Sequence, residues 1–279
     1  MTTWDRDKVT NSKNNLEGAE LKGLDLSGLD LSKANMISAN LISADLKGVT
    51  LVGANLFSAK AMRADFSGAN LSGTNFLKAN LTKTNLKEAN LNDADLAGAN
   101  LADTNLEKAD LIRAKLVEAN LLGANLAGAD FSEAKLTGRY QREGYYSRGA
   151  NLSKGKLMGA NLRGADASGT EMKETDCTDV DFTNANLSEA NFKHALLKSS
   201  CFVNAKLGDA DFRSARFIDC DFSGAELIET KFQGVDLSSV KNISAKELQS
   251  ALIDSETRVP DYIKVIWKSE DTYECELTS

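Results

Sequence analysis

One histidine, four cysteines and a recurring aspartate are the residues of this 279-residue sequence whose types could do chemistry. A metal centre or an activated nucleophile needs such groups in clusters. Cys177, Cys201, Cys220 and Cys275 fall late in the chain without CxxC spacing, so they read as free thiols rather than a disulfide frame or zinc site. His194 has no second histidine to join and falls at an outward corner of the pattern described below, which makes it a solvated residue. Gly98, Gly123 and Gly128 recur as corner residues and build no phosphate-binding G-x-x-x-x-G-K-[ST] loop. No catalytic residue, metal ligand or cofactor site is expected, and the chain does not read as an enzyme.

The elements around these residues explain their spacing. From Leu16 to Leu136 an apolar residue occurs at every fifth position, giving 25 consecutive units, and a second run from Leu152 to Leu237 adds 18. The central residue is always Leu, Phe, Met, Ala or Cys, and the residue two before it is usually small, as at Ala39, Ala54 and Ala160. A helix cannot use this period, because five steps of about 100° move each centre about 140° around the axis. A straight strand fails as well, since its period of two sends positions five apart to opposite faces. The chain must therefore turn once per unit, with the small and central residues inward and the next two residues at a corner.

Units such as Ala-Asn-Leu-Phe-Ser at 54–58 and Ala-Asp-Leu-Ala-Gly at 94–98 resemble the A(D/N)LXX motif of the pentapeptide-repeat family. The resemblance covers most of the chain. It implies an all-β fold, a right-handed quadrilateral parallel β-helix with four units per coil. On that geometry the 43 units make about eleven coils and a rod about 50 Å long. The resemblance also implies a structural role for Asp25, Asp45, Asp65, Asp95, Asp110 and Asp130, which stand just before central residues.

Residues 1–13 read as a polar lead-in, 14–241 as the solenoid with an inserted loop at 139–149, and 242–279 as a C-terminal cap and tail. Leu41, Phe66, Leu106, Phe192 and Phe212 are expected in the core. Ser244 and Glu247 form an S-x-x-E capping box that predicts a short capping helix over about 245–253. The tail over 259–267, with Tyr262, Ile263, Val265 and Ile266, is apolar enough to pack on that cap or on a partner. The only proline, Pro260, lies beyond the repeats, whose backbone ladders it would break.

Three surface features could meet a partner. The inserted loop carries Arg139, Tyr140, Arg142, Tyr145, Tyr146 and Arg148, a mixture suited to binding. Ile37, Phe57, Leu77, Ala97 and Val117 form one outward column, with Ile42, Met62, Ala102 and Leu122 beside it. Lys173, Lys193 and Arg213 form a basic column later on.

These features predict a structural and protein-interaction scaffold with an unidentified protein partner, or a homodimer through the C-terminal end or the apolar side. The resemblance offers an alternative, since some family members mimic duplex DNA and bind DNA gyrase, inhibiting it or protecting it from quinolones. That role needs a strongly negative rod. The formal charge is -7, and 16–136 carries 15 acids and 12 bases while 152–237 carries 14 and 10. Such a balance gives little drive for direct nucleic-acid binding. No apolar run approaches the roughly 20 residues of a membrane span, and the polar start does not resemble a secretory signal, so the cytoplasm is the expected location.

Overall fold

Each unit closes a β-turn in which the central carbonyl accepts an N–H three residues on, as from Ala34 to Leu31 at 3.0 Å. The second corner residue has positive φ at every unit from Gly18 to Glu133, Lys33 at 59° among them. Positive φ at this place alone is the type II arrangement, which turns the chain between extended pieces. The computed structural model describes residues 4–137, 149–269 and 272–278.

The turns bring residues twenty apart into parallel register. Glu20 pairs with Asn40, Asn40 with Lys60, and the same step continues along the rod, so four units complete one coil. Leu21 N donates to Asn40 O at 2.8 Å, and Asn40 N to Ala19 O at 2.9 Å, which satisfies the buried backbone coil by coil. Two pieces extend into three-residue strands, β1 (Leu196–Lys198) and β2 (Arg216–Ile218), paired in parallel. Central and small residues both point inward. Leu41, Phe66, Leu106, Phe192 and Phe212 are fully buried, each large side chain contributing about 1.5–3 kcal/mol. Threonines that replace the small residue return their hydroxyl to a core carbonyl, as Thr74 does to Leu51 O at 2.8 Å.

The ladder crosses the inserted segment. Asn120 pairs with Asn151 and Lys135 with Asp166, so the stacking step lengthens by the eleven inserted residues while the register holds. Where the chain re-enters, Ala150 N donates to Leu136 O at 2.8 Å.

Short helices stand at each end of the ladder, and both ends differ in detail from the sequence expectation. Within the polar lead-in lies a helix, α1 (Arg6–Asn11), capped by Asp5, whose carboxylate accepts from Lys8 N at 2.8 Å. Its one buried residue, Val9, joins the core, and Arg6 reaches Asp25 at 3.0 Å and the carbonyl of Ser27 at 2.8 Å. At the other end, α2 is shorter than 245–253. It spans Ala245–Leu248, with the Ser244 and Glu247 capping box formed in both directions. Helix growth stops because Leu252 is drawn into the ladder beside Lys231. Stacking also continues beyond residue 241, through Leu252 and on to Arg258 beside Asp236. The tail is an antiparallel hairpin of β3 (Ile263–Trp267) and β4 (Tyr273–Leu277). Ile263 and Tyr273 are buried, and the Tyr273 hydroxyl donates to Leu248 O at 3.1 Å.

Candidate functional site

The chemistry-bearing residues have structural occupations. His194 is an exposed corner with φ 61°. Cys177 and Cys220 are buried, and desolvation pushes the Cys177 thiol up to about 12 and the Cys220 thiol up as well, far from a reactive thiolate. Among the described residues no group of three or more His, Cys, Asp or Glu is placed to hold a metal. Asp25, Asp45, Asp65, Asp95 and Asp130 each accept the N–H two residues on, as Asp130 does from Ser132 at 2.8 Å, which braces the entrance to the corner. Asp110 is the exception, since Asn92 takes the Ile112 N–H in its place.

Arg139, Tyr140, Arg142, Tyr145, Tyr146 and Arg148 lie outside the described residues. The point of departure is nevertheless informative. Thr137 stands one coil beyond Val117, because Lys115 pairs with Lys135, so the insertion begins on the column of Ile37, Phe57, Leu77, Ala97 and Val117. The apolar column thus reaches the described residue from which the insertion departs. The column side chains are half-buried, Phe57 included. Where the column narrows to Ala97 and Gly98, a groove of about 430 Å³ opens, lined also by Leu77, Val117, Thr137, Lys115, Lys135, Glu118 and Asp166. In the adjacent column Ile42 and Met62 are half-buried, and Leu122 is 39 % exposed.

Charge is unevenly divided among the four sides, a feature that counting along the chain conceals. The second side carries the units centred on Leu21, Leu41, Ala61 and their stacked successors to Phe232, and it holds nine bases and five acids. The other three sides together hold 13 bases and 24 acids. One basic side therefore runs along an acidic rod.

The two halves of that side are not equivalent. In the later half Lys173 pairs with Glu171 at 3.0 Å, and Lys193 and Arg213 share Asp211 at 3.1 and 2.7 Å. Burial opposes ionisation of Asp211, but hydrogen bonds from the Arg213 side chain and backbone and from Lys193 outweigh it and hold the carboxyl at about 2. Each base of this column is thus paired within the rod, three cations against two carboxylates. In the earlier half Lys60, Arg63 and Lys83 form no ion pair among the described residues, and they stand around Met62 and Thr82, while Asp103 stands in the next coil, before Leu122.

Parallel single-residue bridges every twenty residues, left-handed corners and an inward apolar file define a β-helical repeat solenoid. The pentapeptide-repeat profile of eight copies matches residues 15–53, 50–88, 62–96, 89–121, 104–138 and 148–176, and the pentapeptide repeat region profile matches 175–251. The chain belongs to the pentapeptide-repeat family, whose architecture is the right-handed β-helix.

Similar solved structures include HetL, a pentapeptide repeat protein involved in heterocyst differentiation regulation from the cyanobacterium Nostoc sp. strain PCC 7120. It is 27% identical over 82% of this chain and 97% of that one, with a TM-score of 0.46. Full-length QnrB1, a plasmid-mediated fluoroquinolone resistance protein, is 20% identical over 81% and 92%, with a TM-score of 0.25. A pentapeptide repeat protein from the Arabidopsis thaliana thylakoid lumen is 30% identical over 43% and 69%, with a TM-score of 0.21. No curated protein matches the chain. Among the described residues no helix is long and apolar enough to cross a membrane.

Proposed function

We propose that the protein is a non-enzymatic interaction scaffold: a rod of about eleven coils, closed by α2 and its hairpin, that presents one corner and the adjoining side to a protein partner. The observation that carries this reading is the convergence at Thr137, where the apolar column reaches the start of the Tyr- and Arg-bearing insertion. Aromatic residues and arginine dominate the binding energy of protein interfaces. A rigid solenoid loses little conformational freedom when it binds, so a modest surface on it suffices.

A topoisomerase-directed mimic of duplex DNA is the second reading, favoured by the excess of acids on three contiguous sides. The basic second side weighs against it, because a mimic of DNA must be negative wherever its target closes around it. A supercoiling assay with purified DNA gyrase, with and without a quinolone, separates the two. The scaffold reading expects unchanged supercoiling and unchanged drug sensitivity at micromolar protein. Dose-dependent inhibition or protection would put the mimic first.

A further inference from the structure

The first half of the basic side joins an apolar row to an excess of positive charge, with Asp103, one coil beyond Lys83, the one carboxylate beside Ala102. Ile42, Met62, Thr82, Ala102 and Leu122 stand in successive coils, one per step of the ladder. At about 4.8 Å per step the row is about 19 Å long. Its ends are large and its middle, at Thr82 and Ala102, is small, which leaves a shallow dip between Met62 and Leu122. Lys60, Arg63 and Lys83 border the row around Met62 without ion pairs among the described residues.

We propose that this row receives an acidic amphipathic helix from a partner protein, laid along the axis of the rod. The inference rests on the scaffold reading and names the partner's chemistry. A helix advances about 5.4 Å per turn, so its i, i+3, i+4, i+7 stripe stays within about 2 Å of the 4.8 Å row over four steps. An extended strand repeats a face every 6.6 Å or so and falls out of step by the third contact. Apolar side chains of the helix rest on Ile42, Met62 and Leu122, the largest of them in the dip over Ala102. Its carboxylates meet Lys60, Arg63 and Lys83. Charge and shape select the occupant: a second copy of this chain would bring an acidic side but, among the described residues, no exposed helix of this length, since α1 and α2 span six and four residues.

Fluorescence anisotropy tests the proposal on the full chain. The probe is a fluorescein-labelled Glu/Leu/Ala peptide of about 18 residues with leucines at helical spacing. Its comparators are the same peptide with Lys for Glu, the same peptide interrupted by proline, and a single-stranded oligo-dT. The acidic helix is expected to bind and the comparators to bind weakly. Lys60→Glu/Arg63→Glu/Lys83→Glu and Leu122→Ser are expected each to weaken binding about tenfold or more, and Lys206→Glu, on another side, to leave it within about twofold. Circular dichroism and urea unfolding of each variant verify that the rod is intact. No binding of the acidic helix by the wild-type protein overturns the proposal. Equal binding of the proline-interrupted peptide or oligo-dT also overturns it, since attraction of any anion then suffices. If a partner identified by capture is held through residues 139–149 and the triple variant holds it unchanged, the basic side is not its site and the scaffold reading stands.

Discussion

Phe182 and Phe202 stand twenty residues apart and stack face to face, with ring centroids 4.9 Å apart and planes within 12°. The stack continues to Phe222 at 4.8 Å, and a second runs through Phe192, Phe212 and Phe232 at 4.8 and 5.4 Å. Between the two files the rings meet edge to face, as Phe192 and Phe202 do at 81°. The same five-residue rule that files leucines in the earlier coils thus files aromatic rings in the later ones. Phe202 touches both stacks. Phe202→Ala is expected to cost about 3–5 kcal/mol and Phe202→Leu clearly less, because Leu refills most of the space. Urea unfolding monitored by circular dichroism measures both, and equal costs would contradict the stacking argument.

Leu106 tests the inward file in the earlier half. It is fully buried with no polar group of its own to satisfy. Leu106→Asp places an unpaired carboxylate in that file at a cost of several kcal/mol, so the variant is expected to be insoluble or to lose its β spectrum. Soluble protein with the wild-type unfolding midpoint would sink the inward placement.

Acid stability follows from Asp211, whose side chain is 13% exposed between Lys193 and Arg213. Its folded-state pKa of about 2 lies below the ordinary aspartate value of about 3.9, so the folded protein holds fewer protons on this group than the unfolded chain between those values. The contribution is fully present above about pH 4 and is lost as pH falls through about 2, with a size of about 2 kcal/mol. Asp25, Asp30, Asp65, Asp181 and Asp236 are shifted in the same direction. Stability is expected to fall steadily below pH 4, and Asp211→Asn to flatten that fall. An unchanged slope in the variant would remove Asp211 from the account.

Gly53 isolates the backbone demand of a corner. Its φ is 62°, and a Cβ added there meets nothing within 4 Å, so any penalty is conformational rather than steric crowding. Gly53→Val is expected to lose about 1–2 kcal/mol and Gly53→Asn only a fraction of that, since Asn tolerates the left-handed region and a β-branched residue does not. Thermal melts that ranked the two equally would argue against a left-handed corner.

Much of this architecture was legible because the period of five forbids both a helix and a flat strand. The inward residues, the turns and the eleven-residue insertion all follow from that count. The ends were harder to read. α1 is a single short helix whose only core residue is Val9, too brief a pattern to separate from a polar lead-in, although Asp5 three residues before Lys8 is a capping signal. Tyr273 anchors the hairpin through a hydroxyl bond to Leu248 O, a contact between residues 25 apart that no local pattern announces. The charge of the candidate surface was hidden for a different reason. Side-mates recur only at every fourth unit, so totals along the chain average Lys60, Arg63 and Lys83 with acids that face elsewhere.

The central claim is that the rod and its binding surface are separable. Asn151 N donates to Ala119 O at 2.9 Å and Leu121 N to Asn151 O at 2.7 Å, so the ladder is already complete on either side of the insertion. The direct measurement is affinity capture by a variant lacking residues 139–149, once its urea midpoint has been matched to that of the wild type. The account predicts wild-type stability and loss of the protein that the wild type retains. Full retention of that protein by a stable deletion variant would contradict it.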